Sequence, residues 1–272
     1  MANPIECTAV AAHYESFLRK QFEQARNPTL ATFLTSDDVG SVKYQQLLGR
    51  DCAALGVRHV PVSCQRDSDL SERIHEFNIS PQVHGMMVFY PLGPHITIDR
   101  HAVANSVSPQ KDVEGLNRYN LGALTQKYDD RAVVPATARA VVEVLHHHDF
   151  AFSGKTGVVL NRSDIVGKPL SITLENLGMT VFAAYDQTDT DAIKALLPHA
   201  DLVVTAVPDP TYRLPSELVK PGSAVVAVTP SNIVEEELHE RCKLLTVRSD
   251  PIGRVTRKIT MLNLLNCIRS QG

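Results

Sequence analysis

Segments whose apolar residues have helical spacing alternate along this chain with short apolar runs typical of buried strands. Helical spacing covers residues 8–25 and again 41–55, and Gly56 stands where a glycine would end the second helix. Another helix is predicted at 68–77. Strands are predicted at 30–34, 58–63 and 85–90. This alternation predicts an α/β fold with a largely parallel sheet.

A second series of strands and helices follows a charged, proline-ended boundary at 128–135. Its strands, at 157–160, 180–184, 202–206 and 224–228, are short and rich in Val and Ala, as buried parallel strands are. A helix at 137–145, expected to bridge the two domains, precedes these strands, and helices at 169–177 and 191–197 are predicted between them. The last apolar helix, at 258–269, is expected to return to the first domain. We therefore expect two α/β domains: 1–134 plus 252–272, and a Rossmann-type domain at 135–251.

Composition and charge argue against several classes of function. The net charge of -3 gives no reason to expect a nucleic-acid or membrane-surface partner, and no apolar run reaches the length of about 18 residues that spans a bilayer. The five cysteines are odd in number and form no CxxC pair, which argues against disulfides and a thiolate zinc site. Adjacent histidines at 146–148 point in different directions, so no metal site is predicted. The default location is the cytoplasm.

The loop Asn161–Pro169 follows a predicted strand, where a Rossmann unit binds a phosphate. The glycine fingerprint GxGxxG is absent. Ser163 offers a hydroxyl, Gly167 allows close backbone approach, and Arg162 is suited to clamp a pyrophosphate or ribose. From these residues alone, an ordinary strand–loop–helix turn stays an open alternative.

An acidic residue, Asp186, ends the next predicted strand. Such a residue hydrogen-bonds the adenine ribose and repels a 2′-phosphate, which favours NAD over NADP. The choice stays open, because Arg162 is able to bind a 2′-phosphate if Asp186 turns away. The later strands end at Ala206-Val207-Pro208 and Val228-Thr229-Pro230, where Rossmann ligands bind, although both prolines would also simply terminate strands.

Several ordered segments resemble the methylenetetrahydrofolate dehydrogenase/cyclohydrolase family. The two most specific are Val159-Leu-Asn-Arg-Ser-Asp-Ile-Val-Gly-Lys-Pro-Leu170 and Lys111-Asp-Val-Glu-Gly-Leu-Asn117. Supporting segments are Ser41-Val-Lys-Tyr44, Met87-Val-Phe-Tyr-Pro-Leu92, Pro135-Ala-Thr137, Val219-Lys-Pro-Gly-Ser223 and Gly253-Arg-Val-Thr256 with Asn263. The resemblance implies a folate substrate for the first domain, a nicotinamide cofactor for the second, and a homodimer.

Three departures from the family pattern refine this expectation. Leu48 stands where the bifunctional enzymes have a catalytic lysine, Phe89 where they have a glutamine, and Glu114 where they have an aspartate. Loss of both hydrolytic residues resembles the monofunctional NAD-dependent dehydrogenase of yeast type. The resemblance then implies oxidation of 5,10-methylenetetrahydrofolate by NAD without cyclohydrolase activity.

Roles for individual residues follow from the resemblance. Tyr44 would orient the folate ring system, Leu48 and Phe89 would be apolar pocket walls, and Glu114 would bind the pterin donors. Further substrate contacts are expected from Tyr90, Pro91, Gly253 and Thr256. Cofactor contacts are expected from Asn161, Arg162, Ser163, Ile165, Val166, Asp186, Ala206, Val207, Pro208 and Thr229.

Three alternatives remain open. One is a bifunctional enzyme in which another group, such as Lys43, replaces the lysine, although neighbouring helix residues point about 100° apart. The second is a folate- or nucleotide-binding protein without turnover. The third is a different NAD-linked dehydrogenase of similar build, because fold alone does not decide function. We also expect Leu48→Lys to be tolerated, in a wet cleft.

Overall fold

The computed structural model describes residues 1–129 and 131–271. Asp130 and Gly272, which the predicted domains include, lie outside the described residues. The strands are β1 Asn3–Pro4, β2 Thr29–Leu34, β3 Arg58–Ser63, β4 Gly85–Val88, β5 Thr156–Leu160, β6 Thr180–Ala184, β7 Leu202–Thr205, β8 Ala224–Ala227 and β9 Leu244–Leu245. The helices are α1 Cys7–Phe22, α2 Val39–Ala54, α3 Asp67–Ile79, α4 Arg100–Ser106, α5 Arg118–Gln126, α6 Ala136–His147, α7 Gly167–Asn176, α8 Thr190–Leu196, α9 Glu235–His239 and α10 Gly253–Gln271.

The chain forms two compact units, each assembled from separate stretches of sequence. Unit 1 consists of Met1–Ala12, Leu124–Tyr128 and Thr137–Thr256. Unit 2 consists of His13–Ala123, Asp129–Ala136 and Arg257–Gly272. Each unit has its own sheet and its own buried apolar cluster. This confirms the predicted two-domain α/β architecture.

Unit 1 contains a six-stranded sheet in the order β1-β9-β8-β7-β5-β6, with every neighbouring pair parallel. The chain leaves β5 for β6 on one side and then returns to β7 on the other. Such a reversal of strand order opens a crevice beyond the carboxyl ends of β5 and β7, where open α/β sheets bind ligands. The strands β7 and β8 are fully buried, as their Val- and Ala-rich sequences predicted.

Unit 2 contains a three-stranded parallel sheet in the order β3-β2-β4. The central strand β2 is buried almost throughout, whereas β3 is partly exposed. Pro61 lies in β3, at the edge, where its missing N–H costs no ladder bond. The helix α2 is capped by Asp38, whose Oδ2 accepts the N–H of Ser41 at 2.7 Å. It ends before Gly56, whose φ of 70° confirms the predicted glycine terminus.

The N-terminal residues join the sheet of unit 1. Residues 1–12, which the sequence pattern groups with the first domain, fall in unit 1, where β1 pairs with β9. Asp250 also accepts the N–H and hydroxyl of Thr8, at 2.9 and 2.6 Å. A two-residue strand carries no periodic signal, so only the paired structure reveals it. Within the described residues, no helix is long and apolar enough to cross a membrane.

Candidate active site

The aromatic part of the candidate substrate site lies in unit 2, between helix α2 and the end of β4. Tyr44, on α2, meets Phe89 edge to face, with ring centroids 5.8 Å apart and planes at 67°. Phe89 is 6% exposed and Tyr44 is half-buried. The two rings therefore pack together as one apolar wall.

Leu48 follows Tyr44 by one helical turn and is 0% exposed. Its side chain is therefore part of the packed interior of unit 2 rather than of a wet cleft. The expectation that a lysine would be tolerated here on grounds of solvent access is wrong, because an ammonium group at this position would be desolvated.

The hydroxyl of Tyr44 is oriented by helix α10. Burial raises the pKa of Tyr44 to about 12, and a hydrogen bond with Thr260 opposes that rise. Ion pairs between side chains also connect α2 with α10. The Asp51 carboxylate accepts hydrogen bonds from Arg257 at 2.6 Å and from Lys258 at 2.8 Å. Lys258 contacts Glu15 at 2.9 Å as well. This balanced network of opposite charges holds the helix that carries Tyr44.

Glu114 lies on a tight loop whose shape is set by Asp112. The Asp112 carboxylate is 4% exposed and accepts four hydrogen bonds, from the N–H groups of Glu114, Gly115 and Asn117 and from Asn120 Nδ2. Gly115 has a φ of 73°, and an added Cβ would lie 2.9 Å from the nitrogen of Pro135. The loop therefore requires both the aspartate and the glycine.

The Glu114 carboxylate is half-buried and accepts the N–H of Val88, with Oε2 at 3.2 Å. Burial raises the pKa of Glu114 well above its usual value, and the neighbouring charge of Asp112 raises it further. The Glu114 carboxyl group therefore has a perturbed pKa and unused capacity to accept hydrogen bonds from a ligand with adjacent N–H donors.

Tyr90 and Pro91 continue from β4. The pKa of Tyr90 is raised by burial and then by the charges of Glu114 and Asp112, which places this side chain in the same electrostatic environment. Ser41 donates to the carbonyl of Tyr90 at 3.3 Å, and Ser36 donates to that of Pro91 at 3.1 Å. The strand end is thus fixed from the start of α2, although Pro91 itself is exposed.

A pocket of about 810 Å³ lies in unit 1 at the carboxyl ends of β5, β6 and β7. That volume is typical of small-molecule and cofactor sites. Six of the predicted cofactor residues line it: Asn161, Arg162, Ser163, Asp186, Val207 and Pro208. Its lining also includes residues that sequence reasoning missed, namely Leu160, Lys168, Ala184, Tyr185, Thr188, Thr190, Ile193, Asp209 and Tyr212. Ile165, Val166, Ala206 and Thr229 do not line this pocket.

Asn161 organises the loop between β5 and α7. Its Oδ1 accepts the N–H of Ser163 and of Gly167, at 2.8 and 3.0 Å, and its Nδ2 donates to Ala206 O at 2.7 Å. At Gly167 an added Cβ would lie 2.1 Å from Asn161 O, so only glycine lets α7 begin this close to β5. This close approach replaces the absent glycine fingerprint, and the loop fits a nicotinamide dinucleotide.

Arg162 and Asp186 lie at the same pocket with opposite charges. The guanidinium carbon of Arg162 is 4.7 Å from the centroid of the Tyr185 ring, in a cation–π contact. Asp186 directly follows Tyr185 and is exposed. The Tyr185 ring therefore orients the Arg162 guanidinium at a pocket that Asp186 also lines.

A second asparagine, Asn232, fixes the end of β7 beside the pocket. Asn232 is 0% exposed, and its Oδ1 accepts the hydroxyl of Thr205 at 2.8 Å and the N–H of Val207 at 2.9 Å. It is the last residue of the short helical turn Pro230–Asn232, which Thr229 precedes. No local motif marked Asn232, because its partners lie 25 or more positions away in sequence.

The remaining predicted substrate residues, Gly253 and Thr256, lie in the first turn of α10 and belong to unit 1. The hydroxyl of Thr256 donates to Ile252 O at 3.3 Å, within its own helix turn. An added Cβ at Gly253 would meet no atom of the chain within 4 Å. In residues 1–129 and 131–271, no group of His, Cys, Asp and Glu side chains is placed to hold a metal ion.

Two family models match this chain. Residues 5–114 match the catalytic domain of tetrahydrofolate dehydrogenase/cyclohydrolase, and residues 135–272 match its NAD(P)-binding domain. The chain belongs to this family. Most of the stretch that matches the NAD(P)-binding domain, Thr137–Thr256, lies in unit 1, and the cluster around Tyr44 and Glu114 lies in the stretch that matches the catalytic domain.

Relatives of known identity agree with the assignment. The bifunctional protein FolD of Campylobacter concisus is 29% identical over 250 residues, which are 88% of this chain and 86% of that protein. The N5,N10-methylenetetrahydrofolate dehydrogenase-cyclohydrolase (FolD) of Trypanosoma brucei, solved with NADP and an inhibitor, is 27% identical with a TM-score of 0.90, covering 99% of this chain and 98% of that one. The NAD-dependent 5,10-methylenetetrahydrofolate dehydrogenase of Saccharomyces cerevisiae shares the fold, with a TM-score of 0.88 and 24% identity over 99% and 98% of the two chains.

Proposed function

We propose that this chain is a monofunctional dehydrogenase that oxidises 5,10-methylenetetrahydrofolate to 5,10-methenyltetrahydrofolate with NAD and lacks cyclohydrolase activity. The observation that carries the proposal is the apolar character of the two positions assigned to hydrolysis. Leu48 is 0% exposed and Phe89 is 6% exposed, and neither side chain is able to move a proton. The family consists of oxidoreductases. Loss of the lysine and glutamine assigned to hydrolysis therefore leaves the dehydrogenase step as the remaining activity.

The chemistry explains why the two activities separate. Hydrolysis of the methenyl product requires activation of water and proton transfer as the intermediate collapses. Hydride loss from the methylene carbon requires neither, because the adjacent folate nitrogens stabilise the cation that forms. The protein has to bind and orient the substrate, which is the role proposed for Tyr44, Phe89 and Glu114. The nicotinamide, when bound, supplies the hydride acceptor.

Glu114 is the proposed pterin anchor. Its carboxylate is held by one backbone donor, the Val88 N–H, so it retains acceptor sites for the amino and ring N–H groups of the pterin. Tyr90 and Pro91 would line the same end of β4. Gly253 and Thr256 are proposed to reach the folate from the start of α10.

The proposed preference for NAD rests on Asp186. A carboxylate in the pocket favours the free ribose hydroxyls of NAD and repels the 2′-phosphate of NADP. Arg162 argues for NADP, because a guanidinium is able to bind a 2′-phosphate. One face of this guanidinium, however, is already packed on the Tyr185 ring. We further propose a homodimer formed through unit 1, where β6 is an edge strand and Phe182 is 42% exposed.

One assay tests the function. Purified protein is mixed with methylenetetrahydrofolate and either NAD or NADP, and reduced cofactor and methenyltetrahydrofolate are followed separately. We expect methenyl product to accumulate in step with NADH, with slower reduction of NADP. Consumption of the methenyl product faster than its spontaneous hydrolysis would contradict the loss of cyclohydrolase. Binding of both ligands without reduction of either cofactor would make the chain a binding protein.

A further inference from the structure

Asn263 occupies a central position in unit 2, on helix α10. Its side chain is 0% exposed, and its Nδ2 donates to two backbone carbonyls, Val113 O at 2.8 Å and Val134 O at 2.9 Å. These acceptors lie 150 and 129 positions away in sequence. One amide group therefore joins the helix to two separate chain segments.

The first of these segments is the one that carries Glu114. Residues Lys111 and Val113 pair with Met86 of β4: Met86 N donates to Lys111 O at 2.6 Å, and Val113 N donates to Met86 O at 3.2 Å. The N–H of Val113 thus faces β4, while its carbonyl faces Asn263. The chain is held on both sides just before Glu114.

The peptide unit between Val113 and Glu114 is held at both of its polar atoms. Its carbonyl oxygen accepts from Asn263 Nδ2 at 2.8 Å, and its N–H donates to Asp112 Oδ1 at 3.1 Å. The position of the Glu114 backbone therefore depends directly on Asn263. The second segment contributes too, because Gly115 packs against Pro135 next to the other carbonyl that Asn263 binds.

Stability alone does not explain an asparagine here. Within the described part of the chain, Asn263 Oδ1 is a buried acceptor with no hydrogen-bond partner, and an unpaired buried acceptor is unfavourable. The side chain is therefore useful for its two donors rather than for its acceptor. Both donors serve the geometry of the Glu114 loop.

We propose that Asn263 is a positioning residue for substrate binding, acting by fixing the backbone from which the Glu114 carboxylate projects. The inference rests on the proposed role of Glu114 as the pterin anchor. It predicts that loss of the Asn263 donors weakens the folate site selectively and leaves the NAD site unchanged.

The test compares Asn263→Ala with Asn266→Ala. Asn266 lies on the same helix, is also buried, and donates from Nδ2 to Ala132 O at 3.3 Å. For Asn263→Ala we expect KM for methylenetetrahydrofolate to rise roughly tenfold, the scale of a weakened charge-assisted contact, with KM for NAD within about twofold. For Asn266→Ala both KM values should stay within about twofold of the wild type.

A double-mutant cycle separates positioning from general loss of structure. In a Glu114→Gln background, Asn263→Ala should have little further effect on folate affinity, because the group that it positions is already gone. Equal effects in the two backgrounds, or equal rises in both KM values, would overturn the proposal. Asn263→Ser, which keeps one donor on a shorter side chain, provides a second variant if the alanine variant does not fold.

Direct binding keeps this test independent of turnover. The dissociation constant of tetrahydrofolate is measured by calorimetry for the same variants, without NAD. If the wild type binds tetrahydrofolate but reduces no cofactor, the proposed dehydrogenase function fails, while the loss of affinity in Asn263→Ala still tests the positioning role. If Asn263→Ala binds tetrahydrofolate as tightly as the wild type, the positioning role is wrong whatever the enzyme catalyses.

Discussion

The ring of Tyr44 meets that of Phe89 edge to face, with centroids 5.8 Å apart. In the proposed function, Phe89 takes the position of the glutamine of the bifunctional enzymes, and Leu48, one helical turn after Tyr44, takes that of their lysine. Under this proposal, two apolar side chains replace the pair of hydrolytic groups. Restoring hydrolysis therefore requires more than the return of two polar side chains.

Leu48→Lys should destabilise the protein. The leucine is 0% exposed, so the new ammonium group would be buried without a partner, at a cost of about 3–5 kcal/mol of unfolding free energy. Urea denaturation measures the loss, and Leu48→Met, which conserves volume, should lose less than about 1.5 kcal/mol. A lysine variant as stable as the methionine variant would show that this position is hydrated after all.

Glu114→Gln should stabilise the free protein at neutral pH while it impairs substrate binding. Because burial and Asp112 raise the folded-state pKa of Glu114, the folded state releases this proton at a higher pH than the unfolded state does. The resulting penalty is absent below the usual carboxyl pKa and grows as pH rises towards the folded-state value. The glutamine variant removes the penalty, so its Tm should exceed that of the wild type at pH 7.5 but not at pH 4.5.

The same variant should lose about 10- to 100-fold in kcat/KM for the folate, the equivalent of one hydrogen bond to a charged group at about 1.5–3 kcal/mol. Thermal scans at the two pH values and steady-state kinetics check both parts. Glu23→Gln, at an exposed position, is the matched control and should show neither effect. A Glu114→Gln enzyme with wild-type kinetics would remove Glu114 from the substrate site.

Asp186→Ser should shift the cofactor preference towards NADP. Loss of one like charge at about 4 Å is worth about 1 kcal/mol in water-like surroundings, so kcat/KM for NADP should rise roughly 5- to 10-fold relative to NAD. Asp189→Ser is the control, since Asp189 lies in the same loop but caps α8 and does not line the pocket. An unchanged ratio of the two cofactors in Asp186→Ser would assign the preference to another residue.

Phe182→Asp should prevent dimer formation. The phenylalanine lies on β6, an edge strand, and is 42% exposed, so a charge there would be buried in any interface built on this edge. Light scattering after size-exclusion chromatography should give a dimer for the wild type and a monomer for the variant. Phe17→Asp, at another exposed phenylalanine (39%) on α1, should remain dimeric. A monomeric wild-type protein, or a dimeric Phe182→Asp variant, would contradict the proposed interface.

Features with a local signal were predictable from the sequence. The strands β3 and β6 have the predicted bounds because a run of apolar or β-branched residues between turn formers is visible without any partner. Tyr44, Glu114 and Arg162 were selected as site candidates because each belongs to a short segment resembling a family motif. The Rossmann-type order of strands and helices led us to expect a cofactor site at the ends of these strands.

Features that depend on distant partners were not predictable. Asn232 and Asn263 look like ordinary polar residues in sequence, and only the fold shows which carbonyls and N–H groups each one binds. The burial of Leu48 was missed for the same reason, since a helical position does not reveal what packs over it. The strand β1 was not predicted because its two residues are identified as a strand only by their pairing with β9.

The division of α10 between the two units has a consequence for how the protein is made. Helix α10 starts at Gly253 in unit 1, whereas unit 2 includes the stretch that begins at Arg257. During synthesis, the strands of unit 2 leave the ribosome long before the helix that supplies Thr260 and Asn263. Until that helix is made, the Glu114 loop of the nascent chain lacks its hydrogen bond from Asn263, and part of the apolar surface of unit 2 is exposed. Exposed apolar surface of this kind favours chaperone binding.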